Sequence, residues 1–597
     1  MAGPKPSHAA RQSSHAARPI AVAVAGAALL GAVMPAALAG VTPAGGTPAA
    51  TPQVLRVGTY DGIAGQFTTV QAAVDAARPG DWVLVGPGDY KTTSSRAPAG
   101  VPTSPAGVLV TTPDIHLRGM DRNAVILDGT HAGAPCNAVP ADQSFGPAGK
   151  SGPLGLNGVM VWKADDVSVE NLTACNFLAG SGGDTGNEIW WNGGANSAQI
   201  GGWGFTGAYL NATSTFYRDE TSAAQYGIFS SNWSGGTWDH TYASNFNDSG
   251  YYIGACQDQC DQTVNHAWSQ YSALGYSGSN SGGQLVIENS EFDHNEDGFD
   301  TNSQNGDNPP PQDGACPGNT ISPITHTHSC WVFMHNYVHD NNNPDVPALG
   351  SAAAGPVGTG MSLSGARNDT VMDNVFARNG AWGAILVPYP DNGPPCTGGT
   401  NLSVACVYDE WGDAIVGNTF SGNGFFGNVT NGDIAAVNLE PGPPDCFRGN
   451  TERGGGSAST SPPGLEALFP SCTGSTTLPD LNLPFLDQVA CDSQSASIGP
   501  VSAGTFCLPG TNYPRRTKVI MHPLPSGLPS MPQPCAGVPA NPWCPAGGSA
   551  SLGEHGSAAP ARTYTSGHRA APARPNQRPA GHRRRSARTR PPGGPRY

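Results

Sequence analysis

Short apolar segments recur along this chain, most of them at an interval of 23 to 25 residues, and each follows a glycine. These glycines are Gly180, Gly204, Gly227, Gly250, Gly275 and Gly298 and, after an insertion, Gly360, Gly383 and Gly427. An asparagine precedes several of them by three or four residues, at Asn176, Asn247, Asn295, Asn379 and Asn423. Both residue types tolerate positive φ angles, so the pattern indicates repeated corners between short strands.

Side chains alternate between the two faces of a strand. The residue directly after the glycine is apolar, as at Tyr276, Phe299 and Met361, and is therefore expected to face the core. A unit of this size with no helical period cannot bury its apolar face alone, but stacked units can. The pattern predicts an all-β solenoid with one column of stacked glycines: Gly204, Gly227, Gly250, Gly275, Gly298, Gly360 and Gly383. Gly298 and Gly360 should then lie in adjacent coils, despite the insertion between them.

Over roughly residues 54–445, this repeat resembles the right-handed parallel β-helix of the pectin-lyase-like superfamily. A strand at 54–57, an amphipathic helix at 69–78 and a second strand at 82–85 look like the usual opening of that fold. The resemblance implies that the helix caps the open end of the solenoid core. The alternatives are a β-sandwich and a leucine-rich repeat, whose leucine and asparagine signature is absent.

The N-terminus is predicted to be a secretory signal. Within residues 1–39, three basic residues precede the apolar run Ile20–Val33, and the A-x-A cleavage signal Ala37–Ala39 follows it. An uncleaved run would instead anchor the chain in a membrane, and no later apolar run is long enough to span one. We therefore predict a secreted, extracellular protein with no transmembrane segment after cleavage, beginning with a linker over residues 40–53.

Fourteen cysteines in a secreted chain predict disulfides. Neighbours in sequence give the predicted pairs Cys136–Cys175, Cys256–Cys260, Cys316–Cys330, Cys396–Cys406, Cys446–Cys472, Cys491–Cys507 and Cys535–Cys544. Residues 446–545 are predicted to be a Cys- and Pro-rich extension tied by disulfides, and residues 546–597 a disordered, basic tail.

The formal net charge of −15 conceals a basic leader, a basic tail and a strongly acidic middle. An acidic body repels nucleic acid and polyanions unless a cation intervenes. We expect no nucleic-acid partner and a monomer that binds an extracellular polysaccharide. Insertions at about residues 303–330, 342–359 and 388–413 are expected to wall a binding cleft.

The densest candidate chemistry is the run Glu296-Asp297-Gly298-Phe299-Asp300. Ca²⁺ is bound by several carboxylate oxygens at such density. The run resembles the calcium turn of the family 9 pectate lyases, with Glu296 in place of the first aspartate, and this implies Ca²⁺ binding by Glu296, Asp297 and Asp300 at the mouth of the groove. Two departures are the missing calcium aspartate one coil earlier and the missing lysine one coil later. The alternative is a solvated acidic corner.

The outward positions of successive coils predict a binding surface. Tyr252, Ser277, Asp300 and Ser362 should project side by side on adjacent coils, with Asn302 beside them. Asp300 and Arg367 are the candidate catalytic residues, since arginine removes the proton beside a uronate carboxylate in other pectate lyases.

Three functions remain open at this point: a polysaccharide lyase, a glycoside hydrolase that uses Asp297, Asp300 or Asp293 as acid and base, and a non-catalytic glycan-binding surface protein. The sequence alone does not give the carboxylate spacing that a hydrolase needs. A separate metal clamp at His326 and His328 is a further, weaker hypothesis.

Overall fold

The computed structural model describes residues 51–545, with the exception of residues 93, 183–185, 195–199, 257–258, 305–330, 351, 392–395, 403–404, 441, 473–481, 494–506 and 508. Within these residues the chain folds into parallel strands that stack coil upon coil. The predicted pair Cys316–Cys330 and the residues His326 and His328 lie outside the described residues. No helix in the described part is long and apolar enough to cross a membrane.

The coils form three stacks of parallel strands. The first stack contains Val54–Val57, Trp82–Val85, His116–Gly119, Val167–Cys175, Phe205–Thr213, Gly236–Asp239, Gln262–Asn265, Leu285–Glu288, Trp331–Met334, Thr370–Met372, Ala414–Val416 and Cys446–Arg448. The second contains Gly88–Lys91, Val125–Asp128, the same two long strands (Val167–Cys175 and Phe205–Thr213), Tyr242–Ser244, Trp268–Gln270, Glu291–Asp293, Tyr337–His339, Val375–Ala377, Thr419–Ser421 and Thr451–Glu452. The two long strands run through both stacks and join them into one sheet.

The third stack is a separate sheet of eleven described strands: Ala106–Val110, Asn157–Trp162, Asn187–Asn192, Tyr226–Ser231, Ser249–Gly254, Leu274–Ser279, Asp300–Asn302, Thr359–Ser364, Trp382–Val387, Gly432–Ala436 and Thr460–Ser461. The three stacks of parallel strands confirm the predicted parallel β-helix. Its right-handed sense is the one expected from the general rule, because about 98% of crossover connections between parallel strands are right-handed. Its parallel pairing continues to Ser461, past the end predicted at residue 445.

Three α-helices and some short strands complete the described part. The helices are Val70–Ala76, Leu465–Leu468 and Leu483–Asp492. Small sheets are formed by Thr59–Tyr60 with Ile63–Ala64, by Gly202–Trp203 with Trp233–Ser234, and by Tyr389–Asp391, Thr400–Asn401 and Cys406–Tyr408. The first helix begins at the N-cap Thr69, whose side chain accepts a hydrogen bond from the amide of Ala72. It lies where the sequence predicts a helix, and its capping role stays a prediction.

Aromatic and aliphatic side chains fill the space between the stacks. Phe299 is fully buried and stacks on Tyr276 of the preceding coil, with a ring distance of 4.2 Å. Its ring also packs against Phe333 at 4.6 Å. The residue after each stacked glycine thus faces the core, as the alternation predicts.

The glycine column is confirmed for six of its seven predicted members, Gly227, Gly250, Gly275, Gly298, Gly360 and Gly383. Its cause differs from the one predicted, because these glycines do not have positive φ angles. A Cβ at Gly298 would lie 2.5 Å from the carbonyl oxygen of Gly360, so close approach of the next coil requires glycine here. Gly204 was placed wrongly: it precedes a first-stack strand and has a φ of +67°.

Three of the predicted corner asparagines, Asn295, Asn379 and Asn423, belong to a hydrogen-bonded ladder between coils. In this ladder, Asn295 donates both its backbone and its side-chain N–H to Asn341 Oδ1, each at 3.1 Å. Asn341 donates in turn to Asn379, and Asn379 to Asn423. A second ladder joins Asn336, Asn374, Asn418 and Asn450. These amides satisfy buried backbone groups where the chain leaves one strand for the next.

All six predicted disulfides that fall on described residues are confirmed: Cys136–Cys175, Cys256–Cys260, Cys396–Cys406, Cys446–Cys472, Cys491–Cys507 and Cys535–Cys544. The C-terminal extension packs along the solenoid. Arg516 ion-pairs with Glu220 at 2.6 Å, and the indole of Trp543 donates to the carbonyl oxygen of Ile63. The last described residues therefore reach back to the first coil.

Asn341→Ala is expected to destabilise the fold more than Asn123→Ala does. The first substitution leaves the buried N–H groups of Asn295 without their acceptor, at about 1–3 kcal/mol for each unsatisfied group. Asn123 is exposed and donates one hydrogen bond to the carbonyl oxygen of Leu528, so it serves as the control. Denaturant unfolding measures both changes, and equal effects would contradict a supporting role for the ladder.

Candidate functional site

The predicted outward residues form one column on the third stack. Strand pairing places Tyr252 beside Ser277, Ser277 beside Asp300, and Asp300 beside Ser362. Adjacent strands are about 4.8 Å apart, so this column offers one side chain per coil along a straight line. The prediction that these four residues lie together on successive coils is confirmed, although only Asp300 among them is partly exposed.

Asp300 is held by two side chains of the same surface. Asn302 Nδ2 donates to Asp300 Oδ2 at 2.7 Å, and Ser364 Oγ donates to Asp300 Oδ1 at 2.8 Å. Burial raises the pKa of Asp300 to about 6, although both hydrogen bonds act in the opposite direction. Its carboxyl can therefore change protonation state near neutral pH.

Asp297 precedes Asp300 by three residues, pairs with Leu274 and Thr359 of the adjacent coils, and is fully buried. Its Oδ2 accepts a hydrogen bond from Ser362 Oγ at 2.6 Å, and its Oδ1 accepts one from the amide of Phe299. Burial raises the pKa of Asp297 well above its usual range, and the charge of Asp300 raises it further. Asp297 thus supports the surface from beneath and is not itself open to a ligand.

A third carboxyl, Asp248, completes the group that we call the acid cluster: Asp248, Asp297 and Asp300. Asp248 is partly exposed and accepts a hydrogen bond from the hydroxyl of Tyr226 at 2.9 Å. Burial raises the pKa of Asp248 to about 7, and the charge of Asp300 contributes to the increase. Two partly exposed carboxyls with displaced pKa values therefore influence each other on one surface.

Aromatic rings continue the column away from the acid cluster. Trp190 and Phe229 stack at 4.7 Å with an angle of 11° between their planes, and Phe229 packs edge-on against Tyr252 at 4.8 Å. Trp190 is partly exposed and donates through its indole nitrogen to Ser231 Oγ. Flat aromatic surfaces of this kind bind the apolar faces of other rings.

Segments from elsewhere in the chain flank the acid cluster. In the insertion at 342–359, Ala348, Ala352 and Ala353 pack on Leu274, one coil before Asp297. On the other side, Phe485 of the helix Leu483–Asp492 packs edge-on against Trp382. Two cavities, of ≈ 330 and ≈ 250 Å³, lie elsewhere, near Ser459–Pro463 and near the first helix. The acid cluster is thus part of a walled surface.

Glu296 does not lie at the open mouth of a groove, where the sequence predicts it. It is fully buried, and neither carboxylate oxygen has a hydrogen-bond partner. Burial raises its pKa well above the usual range; the charge of Arg516 opposes this, and Asp492 adds to it. The side chain lies under the C-terminal extension, because both Arg516 and Asp492 belong to that segment.

The three predicted calcium ligands do not form a ready site. Glu296, Asp297 and Asp300 are not among the groups of described residues whose metal-binding atoms all lie within 4.8 Å of one another. Calcium binding by this set would require the side chains to converge, because Ca²⁺ holds its oxygen ligands at about 2.3–2.6 Å. The calcium site therefore stays a prediction.

Arg367 is packed as a structural cation. Its guanidinium lies 3.9 Å from the centre of the Trp411 ring and donates to the carbonyl oxygens of Gly398 and Asp409. The side chain is buried. These contacts keep the guanidinium charged and in place, which does not favour a role as a proton-abstracting base.

Asp293 belongs to a different surface and does not pair with Asp297 or Asp300. It lies in the second stack and accepts hydrogen bonds from Trp268 Nε1 and Gln270 Nε2 at 2.7 and 2.8 Å. In the next coil, His339 lies between Glu291 and Asp340. Burial lowers the pKa of His339, but the hydrogen bonds to these carboxylates outweigh burial and raise it. Both ring nitrogens are occupied, which favours an ion network over a metal site.

Sequence analysis missed Asp248 and Trp190 for identifiable reasons. Asp248 comes directly before a strand, in an Asn-Asp-Ser-Gly run that looks like an ordinary turn. Trp190 lies in a coil whose place in the glycine column is taken by Glu188, so the glycine spacing does not reveal this strand. The apolar residues Ile189 and Trp191, which alternate with more polar positions in this strand, were the available sequence signal for it.

Comparisons with known proteins give weak likenesses. No protein-family model matches the sequence, and no curated protein matches it. Among solved structures, a mannuronan C-5 epimerase A-module from Azotobacter vinelandii is 13% identical, with 64% of this chain and 88% of that chain covered and a TM-score of 0.38. An alginate lyase from Paenibacillus is 11% identical over 68% and 97%, with a TM-score of 0.32. A family 28 exopolygalacturonase from Yersinia enterocolitica is 12% identical over 69% and 77%, with a TM-score of 0.36.

Likenesses of this strength carry no argument about chemistry or substrate. The strand pairing itself, rather than any of these comparisons, identifies the fold as a parallel β-helix with three stacks of strands.

Proposed function

We propose that the chain is a secreted carbohydrate-active protein that binds an extracellular polysaccharide along the outer side of the third stack and hydrolyses it there. The observation that carries the proposal is the acid cluster beside the column Tyr252, Ser277, Asp300 and Ser362. The partly exposed members of this surface, Trp190, Asp248 and Asp300, lie on different coils, which suits an extended polymer better than a small molecule. The disulfides are typical of an oxidising compartment, which supports secretion.

Hydrolysis of a glycosidic bond needs one carboxyl that donates a proton and one carboxylate that acts as base or nucleophile. We propose Asp248 and Asp300 as this pair of carboxyls, because both are partly exposed on one surface and the charge of Asp300 acts on Asp248. Asn302 and Ser364 orient Asp300, and Tyr226 orients Asp248.

Two alternatives remain. In β-elimination, Arg367 would remove a proton beside a uronate carboxylate held by Ca²⁺ at Glu296, Asp297 and Asp300. The packed environment of Arg367 and the separation of the three acids disfavour this chemistry. In the second alternative, the same surface binds a glycan without cleaving it, with Tyr252, Ser277, Asn302 and Ser362 as contacts.

Asp300→Asn and Asp248→Asn should each lower the hydrolysis of a polysaccharide panel by about 10²–10⁴-fold, because each removes a proton-transfer group. Asp373→Asn is the control, since Asp373 is an exposed corner residue of the first stack. New reducing ends without unsaturated uronates support hydrolysis. Unsaturated products would indicate elimination instead of hydrolysis. Binding without cleavage would support the non-catalytic alternative. The absence of both binding and cleavage would overturn the proposal.

The unfolding free energy of the wild type should fall as the pH rises from about 4 to 7. Because burial raises the pKa values of Asp300 and Asp248 to about 6 and about 7, the folded state binds more protons than the unfolded state in this window. The contribution of these two groups to the stability is therefore fully present below the unfolded pKa and is lost as the pH rises through the folded pKa. Asp300→Asn should flatten the profile, and Asp373→Asn should not. A profile that rises over this range would contradict the raised pKa values of the two acids.

Ca²⁺ should stabilise the wild type against heat if Asp297 and Asp300 bind it. At 100 times the dissociation constant, the gain is about 2.7 kcal/mol. The Asp297→Asn and Asp300→Asn double variant should lose both the gain and the calorimetric binding signal, and Asp373→Asn should keep them. Equal binding by wild type and double variant would refute this site. No step of the proposed hydrolysis depends on the ion.

A further inference from the structure

The corner between the first and second stacks carries one left-handed residue per coil. Strand register aligns Asn171, Tyr209, His240, His266, Asn289 and His335, and all six have φ angles between 51° and 56°. Residues at this corner in adjacent coils therefore lie side by side, about 4.8 Å apart. Two histidines, His240 and His266, are such neighbours, and their ring centres are 4.5 Å apart.

Asp239 brings a carboxylate to the same two rings. Its Oδ2 lies 2.9 Å from His240 Nδ1, and its Oδ1 lies 3.2 Å from His266 Nδ1. The three potential ligand atoms lie within 4.8 Å of one another. Ligand atoms that surround a zinc ion at about 2.0–2.1 Å are themselves about 3 Å apart, so these distances fit a shared ion.

The nitrogen of His240 gives an independent indication. His240 Nδ1 is shielded from solvent but has no aligned hydrogen-bond partner, despite its short distance to Asp239. A buried polar atom without a partner is costly, and an ion placed between the two groups would satisfy both. His266 Nδ1, in contrast, shares a hydrogen bond with Asp239 Oδ1 at 3.2 Å, and a bound ion would replace that hydrogen bond.

Neighbouring side chains hold these ligands in position. Asn265 Nδ2 donates to Asp239 Oδ1 at 3.1 Å, and Asn289 Nδ2 donates to Asn265 Oδ1 at 3.0 Å. The ring of Tyr209 stacks on His240 at 4.9 Å. Outer groups of this kind orient the ligands of metal sites and increase the affinity.

We propose that Asp239, His240 and His266 bind a divalent transition-metal ion such as Zn²⁺ on the outside of the solenoid. Two imidazoles and one carboxylate suit zinc, copper, nickel or iron, whereas calcium prefers an all-oxygen set. The ion joins two successive coils, and its remaining positions face solvent. The site is separate from the acid cluster, which lies on the third stack, so neither proposal depends on the other.

Zinc titration calorimetry of the full chain tests the site. His240→Asn and His266→Asn should each weaken one zinc site at least 10-fold, and Asp239→Asn should do the same. Asparagine occupies the same corner with the same φ at Asn171 and Asn289, so both histidine substitutions keep the backbone. His335→Asn is the matched control, because His335 lies at the same corner but outside the cluster. It should leave this site unchanged.

Asn265→Ala tests the positioning role. It should weaken zinc binding by about 10–100-fold while leaving the melting temperature without zinc unchanged. The proposal is overturned if the wild type binds no zinc, if the three ligand variants bind it as the wild type does, if His335→Asn loses the same site, or if Ca²⁺ competes equally.

Discussion

In-register stacking of successive coils is the constraint on which the rest of this molecule depends. Each coil must donate and accept hydrogen bonds along three stacks at once, so its strands and its corners have fixed positions relative to the next coil. Gly298 illustrates the constraint, because a Cβ there would lie 2.5 Å from the carbonyl oxygen of Gly360. The asparagine ladders meet the same demand at the corners, where Asn341 binds the backbone of one coil and the side chain of the next. A change in one coil's register would displace every outward side chain above it.

Burial of charge shapes the surface that this scaffold presents. Glu296 and Asp297 are fully buried within a solenoid whose middle is already acidic, and burial displaces their pKa values upwards. Such groups are costly as anions, so they are accommodated as neutral acids, by hydrogen bonds or by a cation. Asp297 has hydrogen bonds from Ser362 and Phe299, whereas the carboxylate oxygens of Glu296 have none. Asp297 therefore supports the binding surface through hydrogen bonds, whereas the charge state of Glu296 depends on residues of the C-terminal extension.

The sequence predicts the features that repeat and misses those that occur once. Tyr252, Ser277, Asp300 and Ser362 were placed on successive coils from spacing alone, because a period of two along a strand determines which residues share a face. Gly204 was misplaced because its strand runs through two stacks, so a similar interval in sequence begins on a different face. Asp248 was missed because its environment comes from distant segments, including Tyr226 and the charge of Asp300, and no local pattern encodes it. Glu296 likewise experiences the charge of Arg516, which is more than 200 residues away in sequence.

Strands and corners of this fold present side chains in different ways. The acid cluster uses strand positions, and the proposed metal site uses corner positions. A strand position supplies one outward residue per coil in a straight column, so the acid cluster combines Asp300 with hydroxyl and amide groups of neighbouring coils. A corner residue with positive φ projects where the backbone turns, which brings His240 and His266 together and lets Asp239, at the end of a strand, reach both rings. The proposed metal site therefore rests on two neighbouring corners and one strand end, whereas the acid cluster rests on strand positions.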